Sequence, residues 1–354
     1  MRASAPTVSA CLLALSLGLV TVTSDRAFAQ SACSTPKSDL SRNPFNRASA
    51  HHRPIGTGAV YASATHRATL DWRKAGHFGI NAGAPWGVHM MTASRTDPIR
   101  SVAPRSCSIN HSNLPVAVRL PNEHAAVNAD HCRDGNFVVF DQTTNTAHHL
   151  RQYDWNNGRP VAGQYRTIDP RGLGHGTRMG QRLGTSASGV AASFGVLRGF
   201  EMNTPGHRIE HALQIVLPRI QGCRIMLSRD IVLPATDRDQ TATAAGNNTG
   251  NIPYGGLLAL PPSVNIASLN LSEPGRRLAE AIRNYGIYAI DGGGCNAGAL
   301  RADQTVSASI RSQLRSDIAK IYPHIRLVLN NNVLGSPTAG GGTALARNCA
   351  FDAP

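Results

Sequence analysis

The sequence predicts a mainly β fold, in the form of a β-sandwich or jelly-roll-like domain with two short peripheral helices near the C-terminus. One observation behind this prediction is the presence of 34 Gly and 21 Pro in 354 residues, which favours many turns and short elements. The other is a series of short apolar or alternating runs from Leu114 onward, several of which end at turn residues.

The predicted strands follow one another along the second half of the chain. The run 209–217 is the strongest, because its apolar residues occupy every second position. This alternation places His211 on the apolar face of the strand. The remaining strands are predicted at 116–120, 136–141, 256–260, 286–291 and 325–329.

Two helices are predicted between and after the last strands. The first covers 274–285, with Ser272 as the N-cap, Pro274 in the first turn and Gly286 as the stop signal. The second covers 307–321 and ends before Pro323. The polar, Asn- and Gly-rich stretch 236–253 is predicted to be a long loop.

The N-terminus is typical of a secretory signal peptide. Arg2 precedes the apolar run 8–20, and Ala27-Phe28-Ala29 supplies small residues where a signal peptidase cleaves. The run is too short for a membrane anchor, so a secreted or periplasmic protein without a membrane span is predicted. Residues 30–105 are predicted as an irregular N-terminal wrap, and 106–354 as the β-rich main domain.

The cysteines agree with an exported protein. Six of the seven lie beyond residue 29, and an even number in an exported chain indicates disulfide bonds. Their 15 possible pairings stay open at this stage. No Cys-x-x-Cys pair is present, so no metal site is predicted, and the sequence identifies no cofactor. The six are Cys33, Cys107, Cys132, Cys223, Cys295 and Cys349.

The charge of the chain predicts an anionic partner. Its 35 Lys and Arg exceed its 21 Asp and Glu, giving a formal net charge of +14. A polysaccharide or another anionic polymer of the cell envelope suits this basic protein. Nucleic acid does not, because aromatic residues make up only 5% of the chain and the basic residues are scattered. A role of the charge in solubility alone is the alternative.

Five residues are candidates for catalysis. His211 is either a buried structural histidine or a general base. Asp134 and Asp141 bracket the strand 136–141 on opposite faces, and each could instead cap a turn. Asp291 ends a strand before three glycines, and Glu201 precedes a turn. Glycan hydrolysis needs two such carboxyl groups facing across a cleft.

A polysaccharide lyase would use other groups. It needs a base, such as His211 or a tyrosine, and cationic side chains that neutralise the uronate. The candidates for these substrate-binding roles are Arg198, Arg229, Tyr254 and Tyr285.

Several short motifs follow one another between residues 134 and 291. They are Asp134 with Asp141, the loop Gly184-Thr-Ser-Ala-Ser-Gly189, the turn Gly195-Val-Leu-Arg198, Glu201 with Gly206, Ile209 and His211-Ala-Leu213, Ile252-Pro-Tyr-Gly255, and Ala281 with Tyr285-Gly-Ile287 and Asp291. In this order they resemble a widespread, largely uncharacterised family of secreted bacterial proteins, which also shares a start like Pro44-Phe45-Asn46. Where that family has a basic residue and a histidine after the first Asp, this chain has Gly135-Asn136-Phe137. The resemblance covers a little under half of the chain and implies a secreted, β-rich domain of the sort found among glycan-active proteins.

The leading hypothesis is an exported polysaccharide-degrading enzyme, either a glycoside hydrolase or a polysaccharide lyase, with an acidic glycan as one candidate substrate. The alternative is a non-catalytic glycan-binding protein of the envelope or matrix, in which the positive surface is the whole function. A secreted peptidase ranks last because the sequence lacks a spaced catalytic triad.

Overall fold

A computed structural model describes residues 39–83, 85–105, 113–128, 133–178, 181–220, 223–239, 249–332 and 336–346. Within these residues the strands form three larger sheets and two separate strand pairs. The strands are β1 Gly79–Ala82, β2 Val88–Ala93, β3 Ile99–Pro104, β4 Val116–Arg119, β5 Asn136–Asp141, β6 Thr146–Arg151, β7 Asp154–Asn156, β8 Arg159–Ala162, β9 Gln164–Ile168, β10 Thr177–Arg178, β11 Gln181–Arg182, β12 Leu213–Ile220, β13 Arg224–Ile225, β14 Leu227–Ile231, β15 Ile252–Tyr254, β16 Leu257–Ala259, β17 Ile287–Cys295, β18 Ala299–Ala302 and β19 Arg326–Leu327.

Four α-helices accompany the strands in this part of the chain. They are α1 Arg67–Ala75, α2 Gly199–Asn203, α3 Glu273–Asn284 and α4 Ala308–Ile321. Short 3-10 turns lie at Asn122–Ala126, Ile266–Leu269 and Tyr322–His324. None of the helices in the described ranges is long and apolar enough to cross a membrane.

The largest sheet is mixed. Its strand order is β1-β18-β12-β17-β16-β19, and β13 pairs with β12. The central pair β12 and β17 is parallel, whereas β18 and β16 run antiparallel to these strands. A parallel pair needs a crossover connection, and α3 lies in the connection between β12 and β17.

One face of this largest sheet is covered by helices. Leu213, Ile215 and Leu217 of β12 share a hydrophobic cluster with Leu278 of α3 and Leu314 of α4. Both helices start with a serine cap: the predicted cap Ser272 accepts from the Gly275 N–H, and Ser307 accepts from the Ile310 N–H. The two helices predicted near the C-terminus are therefore present.

The other face packs towards the sheet β2-β5-β6-β9. Tyr288 and Ile290 of β17 share a cluster with Val138 and Phe140 of β5. The alternate residues Phe137 and Val139 join a third cluster with residues of the sheet β4-β3-β8-β7. All six residues of β5 are buried, including the polar Asn136 and Asp141 at its ends. The prediction of a mainly β fold is confirmed.

Three findings refine the expected elements. The strand predicted at 209–217 begins at Leu213 and extends to Ile220, so His211 lies in a bend before it. The described part of the predicted N-terminal wrap contains the helix α1 and the strands β1, β2 and β3. Each of these three strands belongs to a different one of the three larger sheets. Part of the predicted loop 236–253 forms the start of β15, because Ile252 pairs with Leu227. The predicted signal segment 1–29 lies outside the described residues.

One predicted disulfide bond is present. Cys223, beside β13, is bonded to Cys295 at the end of β17. The bond closes a loop between residues separated by 72 positions and ties the β12–β13 turn to the strand that carries Asp291. Cys33, Cys107, Cys132 and Cys349 lie outside the described residues.

Candidate functional site

Glu201 and His211, two of the predicted catalytic residues, form a buried pair. Helix α2 places Glu201 in its first turn, where one carboxylate oxygen accepts from the Arg198 N–H at 3.0 Å. The other oxygen lies 2.9 Å from Nε2 of His211. The side chains are only 5% and 8% exposed, respectively. The pair is thus closed to a polymeric substrate.

A second histidine stacks on this pair. The rings of His51 and His211 are 4.4 Å apart at their centroids and nearly parallel. The Nδ1 atom of His51 accepts from the Gly195 N–H at 3.1 Å, and the His51 carbonyl accepts from the Ala212 N–H at 2.8 Å. These bonds join the N-terminal segment to the entry of β12. We call His51, His52, Glu201 and His211 the buried histidine cluster.

Burial and charge set the protonation of this cluster. Burial lowers the pKa of His51 well below its usual value, and the charge of His211 lowers it further. Burial also opposes the charge on His211, but the Glu201 carboxylate and the Ala212 carbonyl outweigh it and raise the pKa of His211. The surroundings therefore favour the charged form of His211 and the neutral form of His51.

Arg198, predicted to bind substrate, is part of the same structural core. Its Nε donates to Asp303 at 2.7 Å, and its NH1 donates to the Ser41 carbonyl at 2.6 Å. Asp303 also accepts from the backbone N–H and the hydroxyl of Thr305. Arg198 thus links three segments of the chain. Within the described ranges, no group of three or more His, Cys, Asp or Glu side chains could hold a metal ion.

Asp134 and Asp291, by contrast, lie close enough for their charges to interact. The loop 184–189 connects them, because Thr185 Oγ1 donates to Asn136 Oδ1 at 3.0 Å and the Ser188 N–H donates to the Ile290 carbonyl at 3.1 Å. Asn136 follows Asp134 by two positions, and Ile290 directly precedes Asp291. The Gly- and Ser-rich loop therefore joins the start of β5 to β17.

Each of these carboxylates has its own arginine. Asp134 forms an ion pair with Arg151 of β6, and Asp291 lies 3.4 Å from NH2 of Arg301 in β18. The Asp134 and Asp291 side chains are 47% and 20% exposed. We call these four residues the Asp134–Asp291 site.

The two carboxyl groups differ in their surroundings. Burial raises the pKa of Asp291; the Arg301 charge opposes this increase, and the Asp134 charge adds to it. Asp134 is half-exposed and stays beside the Arg151 guanidinium. The pKa of Asp291 is therefore shifted in the direction that a general acid needs.

Tyr254 adjoins this site but is fully buried. Burial raises its pKa well above the usual value, and the Asp291 charge raises it further. The phenol is therefore protonated at neutral pH and is available as a proton or hydrogen-bond donor rather than as a base.

Asp141 lies elsewhere. Its Oδ1 accepts from the Thr143 N–H at 2.8 Å and from the Thr143 hydroxyl at 2.6 Å, so it caps the turn after β5. The length of β5 puts it about 17 Å from the end of the strand near Asp134. Asp141 lines a cleft of about 290 Å³ together with Ser41, Gln142 and Asn145.

The two remaining predicted residues are also apart from the Asp134–Asp291 site. Tyr285 ends α3 and is buried in the cluster between the largest sheet and the β2-β5-β6-β9 sheet. Arg229 is exposed on β14, where its carbonyl accepts from Arg238.

Three residues of interest were missed from the sequence. Arg301 reaches the site through the pairing of β18 with the distant strand β12, and Arg151 through the β5–β6 hairpin, which places it opposite Asn136. Trp86 is 46% exposed and lies next to the start of β5, since the Asn136 N–H donates to the Gly87 carbonyl. The Arg133 guanidinium lies 5.3 Å from the centre of its ring. An exposed tryptophan in a chain poor in aromatic residues was the one available signal.

The fold and the Asp134–Asp291 site define a mainly β protein with a half-exposed and a largely buried carboxyl group, each beside an arginine. No family model matches the chain, no curated protein matches it, and no solved structure matches it.

Proposed function

We propose that the protein is an exported polysaccharide-degrading enzyme that hydrolyses glycosidic bonds at Asp134 and Asp291. The observation that carries this proposal is the junction of β5 and β17 at the loop 184–189, which brings the half-exposed, ion-paired Asp134 within electrostatic reach of Asp291, a carboxyl group whose pKa is raised by burial. Such a pair is the working part of most glycoside hydrolases.

The roles follow from the surroundings of each group. Asp291 gives its proton to the glycosidic oxygen as the bond from that oxygen to the anomeric carbon breaks. Asp134 takes a proton from a water molecule whose oxygen forms the new bond to the anomeric carbon. One water is consumed for each bond cleaved, and a proton returns from Asp134 to Asp291 through solvent. Arg151 holds the Asp134 carboxylate in an ion pair.

Hydrolysis suits these residues better than β-elimination. A lyase needs a free base, but His211 is buried against Glu201 and the Tyr254 phenol is protonated. Neither side chain is available to remove a proton from a uronate.

A panel of neutral and acidic polysaccharides tests the proposal. The oxidised protein is incubated with each polymer, and new reducing ends are measured together with the ultraviolet absorbance of unsaturated uronates. Reducing ends without absorbance are expected. Asp134→Asn and Asp291→Asn should each lower the rate at least about a hundredfold. Glu123→Gln, at an exposed carboxylate of the Asn122–Ala126 turn, is the matched control.

A second candidate is a glycan-binding protein without catalysis, which the net charge of +14 favours. Binding by charge alone weakens steeply with salt and survives the loss of Asp134 and Asp291. Binding of this kind, with no reducing ends from any polymer, would replace the hydrolase proposal.

A further inference from the structure

Helix α1 buries its one carboxylate and exposes its cations. The side chain of Asp71 is buried, and its two oxygens accept from Arg224 and Asn251 at 2.6 Å each. The helix thus has no acidic group on its solvent side, and its three cations there span about 10 Å along the helix axis. The exposed residues of the helix are Arg67, Leu70, Arg73 and Lys74.

Strand β19, the last strand of the largest sheet, adds a fourth cation. Trp72 of α1 stacks on Tyr322 at a ring distance of 4.6 Å, and its indole N–H donates to the Tyr322 carbonyl at 3.0 Å. These contacts fix α1 against the segment that leads into β19. Arg326 of β19 donates to two backbone carbonyls of that segment, at 2.7 and 2.8 Å. Burial lowers the pKa of Arg326, and the charge of Arg73 lowers it further.

We call Arg67, Arg73, Lys74 and Arg326 the basic face. The stability of α1 does not account for it. Cations in the last turn of a helix complement the helix dipole, which explains Arg73 and Lys74, but Arg67 occupies the first turn, where a positive charge is unfavourable. None of the four cations forms an ion pair with a carboxylate of the described residues. Like charges held together without a counterion destabilise a fold, so this arrangement indicates an anionic ligand.

We propose that the basic face binds an acidic polysaccharide, as a surface that shares no residue with the Asp134–Asp291 site. A chain with repeated carboxylates can contact several cations that are spread over about 10 Å, whereas one small anion cannot. A lipid surface would bury several apolar side chains, but Leu70 is the one exposed apolar side chain of α1. Trp72 is buried, so α1 offers no ring on which a nucleobase could stack.

Titration with a defined anionic polymer tests this assignment. The full oxidised chain carrying Asp134→Asn, in which the proposed cleavage is blocked, is titrated with polygalacturonate at about 0.05 M salt, where exposed charges are weakly screened. Adding Arg73→Gln and Arg326→Gln should weaken binding at least about tenfold, and salt should weaken the remaining binding less steeply.

The matched control is Arg159→Gln with Arg229→Gln, which removes the same two charges from exposed positions of β8 and β14. It should weaken binding by less than about threefold, because scattered charges act only through the screened field of the whole protein. Equal losses in the two double variants would overturn the inference, since the net charge alone would then explain binding.

A second variant of the basic face covers the case in which the first does not fold. Arg67→Gln with Lys74→Gln changes two exposed side chains that form no hydrogen bond within the described residues. This variant should unfold at the native urea concentration and still bind polygalacturonate several times more weakly. Native affinity in this variant would overturn the inference.

The other polyanions are outcomes of the same titrations. Losses seen only with double-stranded DNA or with vesicles of anionic phospholipid, and not with polygalacturonate, would overturn the inference. Weaker polygalacturonate binding in the variants of the basic face, with no cleavage of any polymer by the native protein, would refute only the hydrolase proposal. Cleavage by the native protein, with unchanged binding in these variants, would refute only the basic-face assignment.

Discussion

The rings of His51 and His211 stack at a centroid distance of 4.4 Å, and their pKa values are shifted in opposite directions. Burial lowers the pKa of His51, whereas the Glu201 carboxylate, 2.9 Å from His211, helps to raise the pKa of His211 against its burial. The buried His211 has Glu201 as its carboxylate partner, so the stability of the buried histidine cluster depends on Glu201.

Replacing Glu201 by Gln should destabilise the protein by about 3–5 kcal/mol, because it leaves the His211 charge buried without its carboxylate. The free energy of unfolding from urea denaturation measures this loss, with Glu123→Gln as the control. Activity of the molecules that remain folded should be close to that of the native protein. Native stability combined with lost activity would instead place Glu201 in the chemistry.

Acid should unfold the protein between pH 6.5 and about pH 4. Burial lowers the pKa values of His52 and His175 from 6.5 to about 4 each. The unfolded chain therefore binds protons at a higher pH than the folded one, so the free energy of unfolding falls as pH decreases through this range. The loss reaches up to about 3 kcal/mol per histidine.

The variant His175→Gln isolates one part of this effect. Its side chain keeps an acceptor for the Ala50 N–H but does not titrate. Denaturation midpoints at pH 7, 5 and 4 should show a smaller acid loss than in the native protein. An identical acid loss in both proteins would show that His175 is not neutral in the fold.

The protonation of Asp291 should depend on Asp134. The Asp134 charge helps to raise the pKa of Asp291, so Asp134→Asn should move that pKa towards its usual value. Carboxyl carbon chemical shifts recorded against pH measure this directly and need no turnover. In the native protein, cleavage should decline as pH rises through the pKa of Asp291, since the proton donor is then lost. An unchanged pKa of Asp291 in the Asp134→Asn protein would show that the two carboxyl groups do not interact.

The disulfide between Cys223 and Cys295 should contribute about 4 kcal/mol to stability, because it closes a long loop in the unfolded chain. The free energy of unfolding of the double variant Cys223→Ser with Cys295→Ser should be lower by this amount, as measured by urea denaturation. The cysteine double variant should lose more cleavage activity than a variant that is equally destabilised at another place, because β17 carries both Cys295 and Asp291. Glu201→Gln is the variant for this comparison. Equal cleavage activities of the two folded variants would show that the disulfide bond does not support the Asp134–Asp291 site.

Local patterns predicted the elements of this fold better than their assembly. The run at 136–141 gives β5, and Ser272 with Gly286 brackets α3, because turn residues and caps act within a few positions. His211 was placed on a strand, but the chain bends there to reach Glu201. No local pattern could place Arg301 beside Asp291, since that contact depends on β17 and β18 both pairing with β12.

Trp86 should bind the sugar next to the cleavage point. Trp86 is 46% exposed. The residue before it, Pro85, packs against Gly135, which follows Asp134: a Cβ atom on Gly135 would lie only 2.8 Å from the Pro85 carbonyl oxygen. The tryptophan is therefore held near Asp134. Trp86→Ala should weaken binding roughly five- to tenfold, as the loss of an aromatic contact surface does. Affinity is measured in the Asp134→Asn background. Trp86→Phe keeps an aromatic face and should retain most of the affinity, while both variants should unfold at the native temperature because the ring is half-exposed. Equal affinities in the alanine and phenylalanine variants would mean that the bound polymer does not reach this ring.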